Sequence, residues 1–481
     1  MIKIVNVTLN GIKNVKQGSV HFFNDSKYLK NKWEEEEGGH IIGVYGQNGS
    51  GKTALIDSFH FLYFLFSPLK NKNVIPNPLI ALPSVHTTHS KISIIFYYEK
   101  NDIRAEIHYS VTFSRTNDKN TLPISLDKEQ LLIKRLSPTK SLPSFDVNLD
   151  KVDMNSLLSK DSEFSVGNYI GDIKGKNSEK VFTEVLLLSN EINKAHNTLR
   201  SFLISDFFLN YLKKKEDNLS SIYATIIERL LIQFRNNLFL YTPNDEAISN
   251  LVIGEALGHV KTEDEQFFSG SFPISFMGPQ VISKKQYQIY TSLVDQINIV
   301  LPAFVPDFHV SLLKLDERLL FDGQKGMTVQ LVSDVNGKQI PIAAESNGIK
   351  KILSICSALL SVFNKEDTWL VVDELDSGVF EYLLGQILEI LSGYMKGQMI
   401  FTAHNLHPLE VLDKKDIFVT TTNEENRYVQ LINIKPSNNK RDYYLRALLV
   451  GGQKEELYKE TEASRIRLAL KRGGKLIEKE S

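Results

Sequence analysis

The chain has 481 residues, enough for two or three domains, and its 42 % hydrophobic and 23 % charged residues are an ordinary globular composition. The formal net charge of −1 excludes a strong positive field over the whole protein, although a local basic patch for nucleic acid stays possible. A single cysteine, Cys356, excludes an intrachain disulfide and any multi-cysteine metal site. We expect a cytoplasmic protein without a membrane partner, because we find no signal peptide and no apolar stretch long enough to span a bilayer.

Residues 2–9 alternate between apolar and polar side chains and predict an opening strand.

The first strong motif follows a short apolar stretch. An apolar run at residues 41–45 leads into Gly-Gln-Asn-Gly-Ser-Gly-Lys-Thr, which fits the P-loop pattern G-x-x-x-x-G-K-[ST], and a helix-like run begins at Ala54. Strand, glycine loop and helix in this order predict phosphate binding by backbone N–H groups and the helix dipole. The predicted ATP-binding residues are Gly46, Gln47, Asn48, Gly49, Ser50, Gly51, Lys52 and Thr53.

Two side chains of this loop have specific expected roles. The ammonium group of Lys52 is expected to neutralise the charge of the β- and γ-phosphates. The hydroxyl group of Thr53 is expected to bind Mg²⁺. The motif therefore predicts ATP and Mg²⁺ as ligands.

The elements after the P-loop helix indicate a mixed architecture. Residues 92–98 and 103–113 alternate on either side of a short polar turn and predict a hairpin. Antiparallel strands here are not part of a plain doubly wound fold, so we expect a mixed sheet. The spacing of apolar residues indicates helices over residues 178–240, and a later helix is expected to end at Pro302. An Asn-Gly pair at residues 336–337 predicts a hairpin turn.

The second half of the expected site lies far downstream. The apolar run at residues 369–372 predicts a strand that ends in Asp373 and Glu374. Asp373 is expected to hold Mg²⁺ through water, and Glu374 to orient and deprotonate the attacking water. Two carboxylates after a strand are a weak signal alone, but they are a strong signal when the chain also carries a P-loop.

Two further polar motifs flank this pair of carboxylates. Ser346 and Gly348 lie in a turn that opens an apolar helix, and a helix N-terminus can bind an anion. If this turn and the P-loop lie at opposite edges of one lobe, the turn can reach a phosphate only in a second copy of the chain. His404 follows a predicted strand at residues 399–403, where a histidine can sense the γ-phosphate through a hydrogen bond.

The ordered set of motifs resembles the ATPase head of the ABC superfamily, in the branch shared with chromosome-maintenance and OLD-type proteins. It is also similar to stand-alone AAA-type ATPases of bacterial phage-defence systems of the Septu, PARIS and retron type. The segments that carry the resemblance read GQNGSGKT, ESNGIKK, WLVVDELDSG and FTAHN. The resemblance covers roughly residues 1–115 and 300–435. It implies that Ser346 and Gly348 touch the γ-phosphate bound by a partner subunit, that Asp376 lies in the dimer contact, and that Glu374 and His404 are catalytic.

We therefore expect an α/β fold, a P-loop NTPase of the ABC type with a mixed central sheet, an antiparallel β lobe and an inserted, mainly helical region. The expected segments are 1–115 (N-terminal part of the ATPase domain), 116–300 (inserted polar and helical region), 301–435 (C-terminal part with the signature turn, the two carboxylates and the switch histidine) and 436–481 (C-terminal helical segment).

The expected function is ATP binding and hydrolysis by a homodimer or higher oligomer that regulates a separately encoded effector, such as a nuclease, in bacterial antiviral defence. The sequence shows no second catalytic constellation, so the effector chemistry is expected on another protein. The alternative is a DNA-repair or chromosome-maintenance ATPase that binds DNA directly, and near-neutral charge and the lack of a coiled-coil pattern argue against it. Under the first hypothesis any contact with nucleic acid is indirect. Glu374 argues against a catalytically inactive scaffold.

Overall fold

The computed structural model describes most of the chain. The described residues are 1–22, 39–67, 77–100, 103–116, 123–137, 139–142, 145–148, 178–215, 218–242, 248–253, 260–261, 267–268, 270–320, 323–335, 337–431, 439–450, 453–458 and 463–480.

The elements are numbered in chain order. The strands are β1 Ile2–Ile12, β2 Val15–His21, β3 His40–Tyr45, β4 Ser90–Lys100, β5 Ile103–Arg115, β6 Ile124–Ser137, β7 Thr139–Ser141, β8 Phe145–Asn148, β9 Leu238–Tyr241, β10 Ile248–Ile253, β11 Val260–Lys261, β12 Phe267–Phe268, β13 Gly270–Ser275, β14 Gln280–Ser283, β15 His309–Leu319, β16 Lys325–Val335, β17 Lys338–Pro341, β18 Trp369–Val372, β19 Gln398–Thr402, β20 Ile417–Thr420 and β21 Tyr428–Gln430. The α-helices are α1 Lys52–Phe66, α2 Asn77–Ile80, α3 Ser178–Thr198, α4 Asp206–Lys213, α5 Asn218–Ile232, α6 Lys284–Phe304, α7 Asn347–Asn364, α8 Glu381–Tyr394, α9 Pro408–Val411, α10 Lys440–Val450 and α11 Ala463–Glu480.

The central sheet has six strands in the order β21-β20-β3-β19-β18-β9. Strands β20, β3, β19, β18 and β9 pair in parallel, and β21 pairs antiparallel with β20. Strands β3, β18 and β19 are buried along their whole length, which explains their continuous apolar sequences. The carboxyl ends of parallel strands meet at one edge of a sheet, and the P-loop, Asp373 and His404 all follow such ends.

A separate antiparallel lobe holds the order β2-β1-β4-β5-β6-β7, and β8 also pairs with β6. The predicted hairpin is confirmed, because β4 pairs with β5 from Ser90 opposite Phe113 to Lys100 opposite Ile103. Helix α1 lies in the same hydrophobic core as this lobe and one face of the central sheet. The P-loop helix is therefore held between the two sheets.

Trp369 ties the central sheet to the antiparallel lobe. Its ring stacks on Phe96 at 5.5 Å between centroids and meets Phe234 edge-on at 5.4 Å. Burial of a large apolar side chain of this kind stabilises a fold by about 1.5–3 kcal/mol. The strand that leads to Asp373 is thus anchored at its first residue.

The opposite face of the central sheet shares a second core with α6, α7 and α8. Strands β14, β16, β15 and β17 form an antiparallel sheet whose last strand leads towards Ser346 and α7. Cys356 is buried in α7, as free cysteines often are. The predicted mixed α/β architecture is confirmed.

Two details of the sequence prediction are wrong. Residues 238–241 form β9 and not the end of a helix, because they pair with β18 in the central sheet and tertiary pairing overrides local helical spacing. Helix α6 contains Pro302 and ends at Phe304. A proline this close to a helix end removes one backbone hydrogen bond, and the helix stops within the same turn.

Two other predictions are not decided by the described residues. Asn336 of the predicted turn lies outside them, although β16 and β17 pair as a hairpin on either side and Gly337 has φ 76°. The boundaries of the four expected segments stay a prediction, and strands β6 and β9 of residues 116–300 pair with strands outside that segment. Within the part of the chain that the structure describes, no helix combines the length and apolar character needed to cross a membrane.

Candidate nucleotide-binding site

The loop between β3 and α1 has a backbone that requires glycine. Gly46, Gly49 and Gly51 have φ values of 152°, 75° and 101°, a region that residues with a Cβ rarely adopt. A Cβ on Gly46 would lie 1.6 Å from Thr420 Oγ1, and one on Gly51 would lie 2.7 Å from Val15 Cγ2. The glycines therefore let the loop turn tightly while neighbouring elements pack directly against it.

Neighbouring elements hold the loop from outside. Thr420 Oγ1, at the end of β20, lies 2.6 Å from Ser50 Oγ. Tyr428 of β21 donates its hydroxyl proton to the Gly51 carbonyl oxygen at 2.7 Å. The amide of Asn14, in the turn between β1 and β2, donates to the Gly49 carbonyl oxygen. Both sheets thus contribute to the shape of the loop.

Lys52 connects the loop to the downstream carboxylates. Its Nζ donates to the carbonyl oxygens of Gly46 at 2.8 Å and Gln47 at 3.2 Å, and only 6 % of the residue is exposed. Burial lowers the pKa of Lys52, while the negative charges of Asp373, Glu374 and Asp376 act in the opposite direction. Residues far apart in the sequence therefore share one electrostatic environment.

Thr402, the last residue of β19, holds the two carboxylate residues in place. Its Oγ1 donates to Asp373 Oδ1 at 2.5 Å and accepts the backbone N–H of Glu374 at 2.9 Å. Asp373 is buried, and its N–H donates to the Tyr241 carbonyl oxygen of β9 at 2.8 Å. Glu374 is half-buried and has φ 48°, a left-handed backbone that is uncommon outside glycine.

Asp376 fixes the segment that carries His404. Its Oδ2 accepts the backbone N–H groups of His404 at 2.9 Å and Asn405 at 2.6 Å. The side chain of His404 is exposed at the carboxyl edge of the central sheet. The segment after β18 and the segment after β19 are thereby joined.

The Ser346 turn packs against the segment that contains Asp376. Ser346 is the exposed N-cap of α7, and its Oγ accepts the N–H of Ile349 at 3.3 Å. A Cβ on Gly348 would lie 2.0 Å from the Gly378 carbonyl oxygen. Within the described part of the chain, the hydrogen bonds of Ser346 are with Ile349 and Lys350 of its own helix. The structure thus places this turn beside Asp376 and without a hydrogen bond to the P-loop of the same chain.

One family model matches most of the chain. The model of the family described as "AAA domain, putative AbiEii toxin, Type IV TA system" matches residues 41–410. The chain belongs to this family. This AAA-family protein has its P-loop and its Asp373–Glu374 pair at one edge of the central sheet.

The AAA-family protein also resembles solved structures of Smc head domains. One, from Pyrococcus furiosus and bound to the C-terminal domain of ScpA, is 13 % identical over 94 % of this chain and 99 % of that chain, with a TM-score of 0.40. Another, from Pyrococcus yayanosii, is 11 % identical over 93 % of this chain and 99 % of that chain, with a TM-score of 0.41. The Smc head from Thermotoga maritima is 12 % identical over 89 % and 99 %, with a TM-score of 0.32. No curated protein matches the chain.

Two donor groups of this AAA-family protein suit Mg²⁺. Thr53 is exposed at the start of α1, and Asp373 lies within the electrostatic reach of the neighbouring Lys52. Proteins usually hold Mg²⁺ with one or two oxygen side chains plus water and substrate phosphates. Among the described residues, no group of three or more His, Cys, Asp or Glu side chains is placed to hold a metal ion. Thr53 and Asp373 are oxygen donors of the kind that a nucleotide-bound Mg²⁺ uses.

A cavity of about 310 Å³ lies on the side of the antiparallel lobe and is linked to the P-loop through one lining residue. Asn14, which bonds to Gly49, is one of its lining residues, and Lys13, Lys16 and Arg115 add positive charge. Lys13 also pairs with the buried carboxylate of Asp57 in α1. Sequence patterns do not reveal this cavity, because its walls come from the β1–β2 turn, residues 81–87 and β5.

Several supporting residues were not predicted from the sequence. Thr402 lies two residues before His404. The one sequence signal for its role was that it is a polar residue at the end of a buried strand. Thr420 and Asn14 carry no motif, since their roles depend on contacts with the P-loop backbone. Lys351 lies within a predicted helix, and its position in the sequence gives no sign of its contact. In the structure its Nζ donates to the Asp373 carbonyl oxygen at 3.3 Å.

Proposed function

We propose that this chain binds and hydrolyses ATP with Mg²⁺ at a site shared between two copies, and that the nucleotide cycle regulates a separately encoded effector. The observation that carries the ATPase proposal is the convergence of Lys52, Asp373 and Glu374. Lys52 follows β3 and the two carboxylates follow β18, and both strands pair in parallel with β19, so the three residues lie at the same edge of the central sheet. A lysine and two carboxylates at a P-loop suit phosphoryl transfer to water.

Each residue of the proposed site has a distinct role. The backbone N–H groups of residues 46–53 and the N-terminus of α1 bind the phosphates. Lys52 neutralises the charge of the β- and γ-phosphates, and Thr53 and Asp373 hold Mg²⁺ directly or through water. Bound Mg²⁺ supplies further neutralisation of phosphate charge. The cavity beside Asn14 offers room for the nucleoside.

Glu374 and His404 serve the hydrolysis step. Glu374 orients the attacking water and accepts its proton, which requires a side chain aimed from the strand end towards the γ-phosphate. His404 is exposed beside it and hydrogen-bonds to the γ-phosphate. Its position is supported by the bonds from Asp376 to the backbone of residues 404 and 405.

The second copy of the chain supplies the Ser346 turn. Ser346 is exposed and Gly348 contacts Gly378 of its own chain, so the N-terminus of α7 is available to an anion on another subunit. Asp376 lies in the same contact surface. The proposal is therefore a homodimer, or a higher oligomer, that assembles around nucleotide.

The first test of the ATPase proposal is Lys52→Ala. Removal of the ammonium leaves the phosphate charge uncompensated, and we expect ATP affinity measured by calorimetry to fall below detection. The matched control is Lys396→Ala, which removes an exposed lysine outside the site. Equal affinity in Lys52→Ala and the wild type contradicts the P-loop assignment.

The effector proposal rests on the description of the family, which names a toxin–antitoxin system. We propose that the effector, such as a nuclease, acts in antiviral defence when the ATPase changes its nucleotide state. The test compares phage plaque counts on cells that carry the complete gene neighbourhood with wild-type or Lys52→Ala chain. Protection that depends on Lys52 supports the role, and equal plaque counts contradict it.

Direct DNA binding is the second candidate function, and one feature favours it. Helix α11 exposes the basic side chains of Arg465, Arg467, Lys471 and Arg472. A cationic helix binds phosphate backbones with an affinity that falls steeply with salt. Measurement of duplex DNA binding at rising salt, with and without ATP, tests this candidate, and binding at physiological salt that disappears when these four residues become glutamine supports it.

A further inference from the structure

The peptide unit between Asp373 and Glu374 is held from both sides. Its carbonyl oxygen, on Asp373, accepts a hydrogen bond from Lys351 Nζ at 3.3 Å. Its N–H, on Glu374, donates to Thr402 Oγ1 at 2.9 Å. The two holding residues come from different elements, Lys351 from α7 and Thr402 from β19. The orientation of this peptide is therefore set by a helix and by a neighbouring strand.

That orientation matters because the backbone of Glu374 is strained. Its φ of 48° places a residue with a Cβ in the left-handed region, and such a backbone persists only where the surroundings impose it. The same φ sets the direction in which the glutamate side chain leaves the strand end. The bonds from Lys351 and Thr402 are contacts that can impose this backbone.

Lys351 is unusual in its own right. Only 2 % of the residue is exposed, and buried lysines are normally held by polar partners, as Lys351 is by the Asp373 carbonyl oxygen. Burial of its ammonium carries a desolvation cost that packing alone does not require. A methionine of similar length could fill the same space, so the charge at this position serves something other than the volume of the core.

Lys351 also lies close to the Ser346 turn. Both residues belong to the first turns of α7, and five residues along a helix span roughly 7.5 Å. A shift of the helix N-terminus therefore moves Lys351 and, through it, the Asp373 carbonyl oxygen. The helix offers a short mechanical connection between one nucleotide site and the other.

We propose that Lys351 is a positioning residue that orients Glu374 for hydrolysis and reports to it the occupancy of the Ser346 turn. This inference rests on the proposed ATPase function. When the Ser346 turn binds the nucleotide held by a second copy, the position of α7 becomes fixed. Lys351 then fixes the peptide between Asp373 and Glu374, and this peptide orients the Glu374 side chain. Without Lys351 the nucleotide still binds, but the base is misaimed, and misplacement of a catalytic group by about 1 Å can cost roughly 10²-fold in rate.

The test is Lys351→Met, which removes the ammonium and keeps most of the volume. We expect kcat for ATP to fall about 10- to 100-fold while KM changes less than about 2-fold. The matched control is Lys365→Met at the other end of α7, which is expected to keep the wild-type kcat. Thermal melting of both variants reports whether they fold.

A second measurement separates positioning from general damage. If Lys351 acts only through Glu374, then Lys351→Met adds nothing to Glu374→Gln, and the double variant hydrolyses ATP at the rate of Glu374→Gln alone. A further tenfold loss in the double variant overturns the proposal, as does wild-type kcat in a folded Lys351→Met chain. Absence of ATP turnover in the wild-type chain contradicts the proposed function itself, and so the two failures are told apart.

Discussion

Gly348 and Gly378 meet backbone to backbone, since a Cβ on Gly348 would lie 2.0 Å from the Gly378 carbonyl oxygen. The turn that begins with Ser346 and the segment that contains Asp376 are therefore in direct contact. Because Asp376 accepts the backbone N–H of His404, a continuous series of contacts runs from the start of α7 to His404. Both glycines are required by this path, Gly348 for space and Gly378 for its φ of 72°.

The first prediction follows from this contact. Gly348→Ala forces the two segments apart, and overpacking of this kind typically costs about 1–3 kcal/mol. We expect a lower melting temperature and loss of most ATP hydrolysis. Gly393→Ala in α8 is the matched control, because a Cβ there meets nothing within 4 Å and alanine is the better helix former. Equal melting temperatures of Gly348→Ala and the wild type contradict the close contact.

The second prediction concerns Glu374. Glu374→Gln keeps the shape of the side chain and removes the base, whose contribution is typically about 10²–10⁴-fold. We expect ATP to bind with wild-type affinity and to be hydrolysed more slowly by that factor. Single-turnover hydrolysis with radiolabelled ATP measures the rate. A rate near that of the wild type means that another residue activates the water.

The third prediction tests the composite site by mixing two inactive variants. Lys52→Ala damages the P-loop and Ser346→Arg blocks the turn, so each homodimer has two damaged sites. A mixed dimer has one intact site, formed by Lys52 of the Ser346→Arg chain and Ser346 of the Lys52→Ala chain. We expect hydrolysis to reappear in the mixture, in proportion to the mixed dimer.

Different affinity tags on the two variants allow the mixed dimer to be isolated and its hydrolysis assigned. Confirmed mixed dimers without turnover show either that both sites must fire together or that the composite site is wrong. Full activity of Ser346→Arg alone excludes a catalytic role for the turn in a partner subunit.

The fourth prediction concerns pH and the buried carboxyl group of Glu129. Its oxygens accept hydrogen bonds from Tyr109 Oη at 2.5 Å and from Phe202 N at 2.7 Å. Burial raises the pKa of Glu129, so the folded chain keeps this proton to a higher pH than the unfolded chain. The protonated Glu129 therefore stabilises the fold at low pH. This contribution to the free energy of unfolding is lost as the pH rises above the glutamate pKa of the unfolded chain, about 4.3.

Glu129→Gln removes this titration. We expect the melting temperature of Glu129→Gln relative to the wild type to rise between pH 4 and pH 7, in thermal melts at constant ionic strength. The exposed Glu389→Gln is the control, and surface substitutions usually change stability by less than about 0.5 kcal/mol. A constant difference between Glu129→Gln and the wild type over this range contradicts the prediction.

The sequence was informative where function depends on local spacing. The P-loop, the strand that ends in Asp373 and the hairpin of β4 and β5 are each specified within about a dozen neighbouring residues, and all three lie where the patterns predicted. Burial of β3 and β18 on both faces left continuous apolar runs that are easy to recognise.

The sequence was uninformative where a residue acts through a contact made only in the folded chain. Thr402 and Thr420 are ordinary strand residues until the sheet places them beside Glu374 and Ser50. Lys351 looks like the solvated face of a helix, since lysine is rarely buried. Strand β9 carries helical spacing, and its pairing with β18 decides its structure.

The position of β9 has a consequence for any attempt to reduce the protein to a minimal ATPase. Residues 238–241 pair with the outer edge of β18, and the Tyr241 carbonyl oxygen accepts a hydrogen bond from the N–H of Asp373. A fragment that joins residues 1–115 to 301–435 would leave that edge without its partner strand. Unpaired edges of buried strands recruit other chains and aggregate. Strand β9 therefore acts as a lateral cap for the strand that ends at Asp373 and Glu374, and we expect a shortened protein without β9 to aggregate.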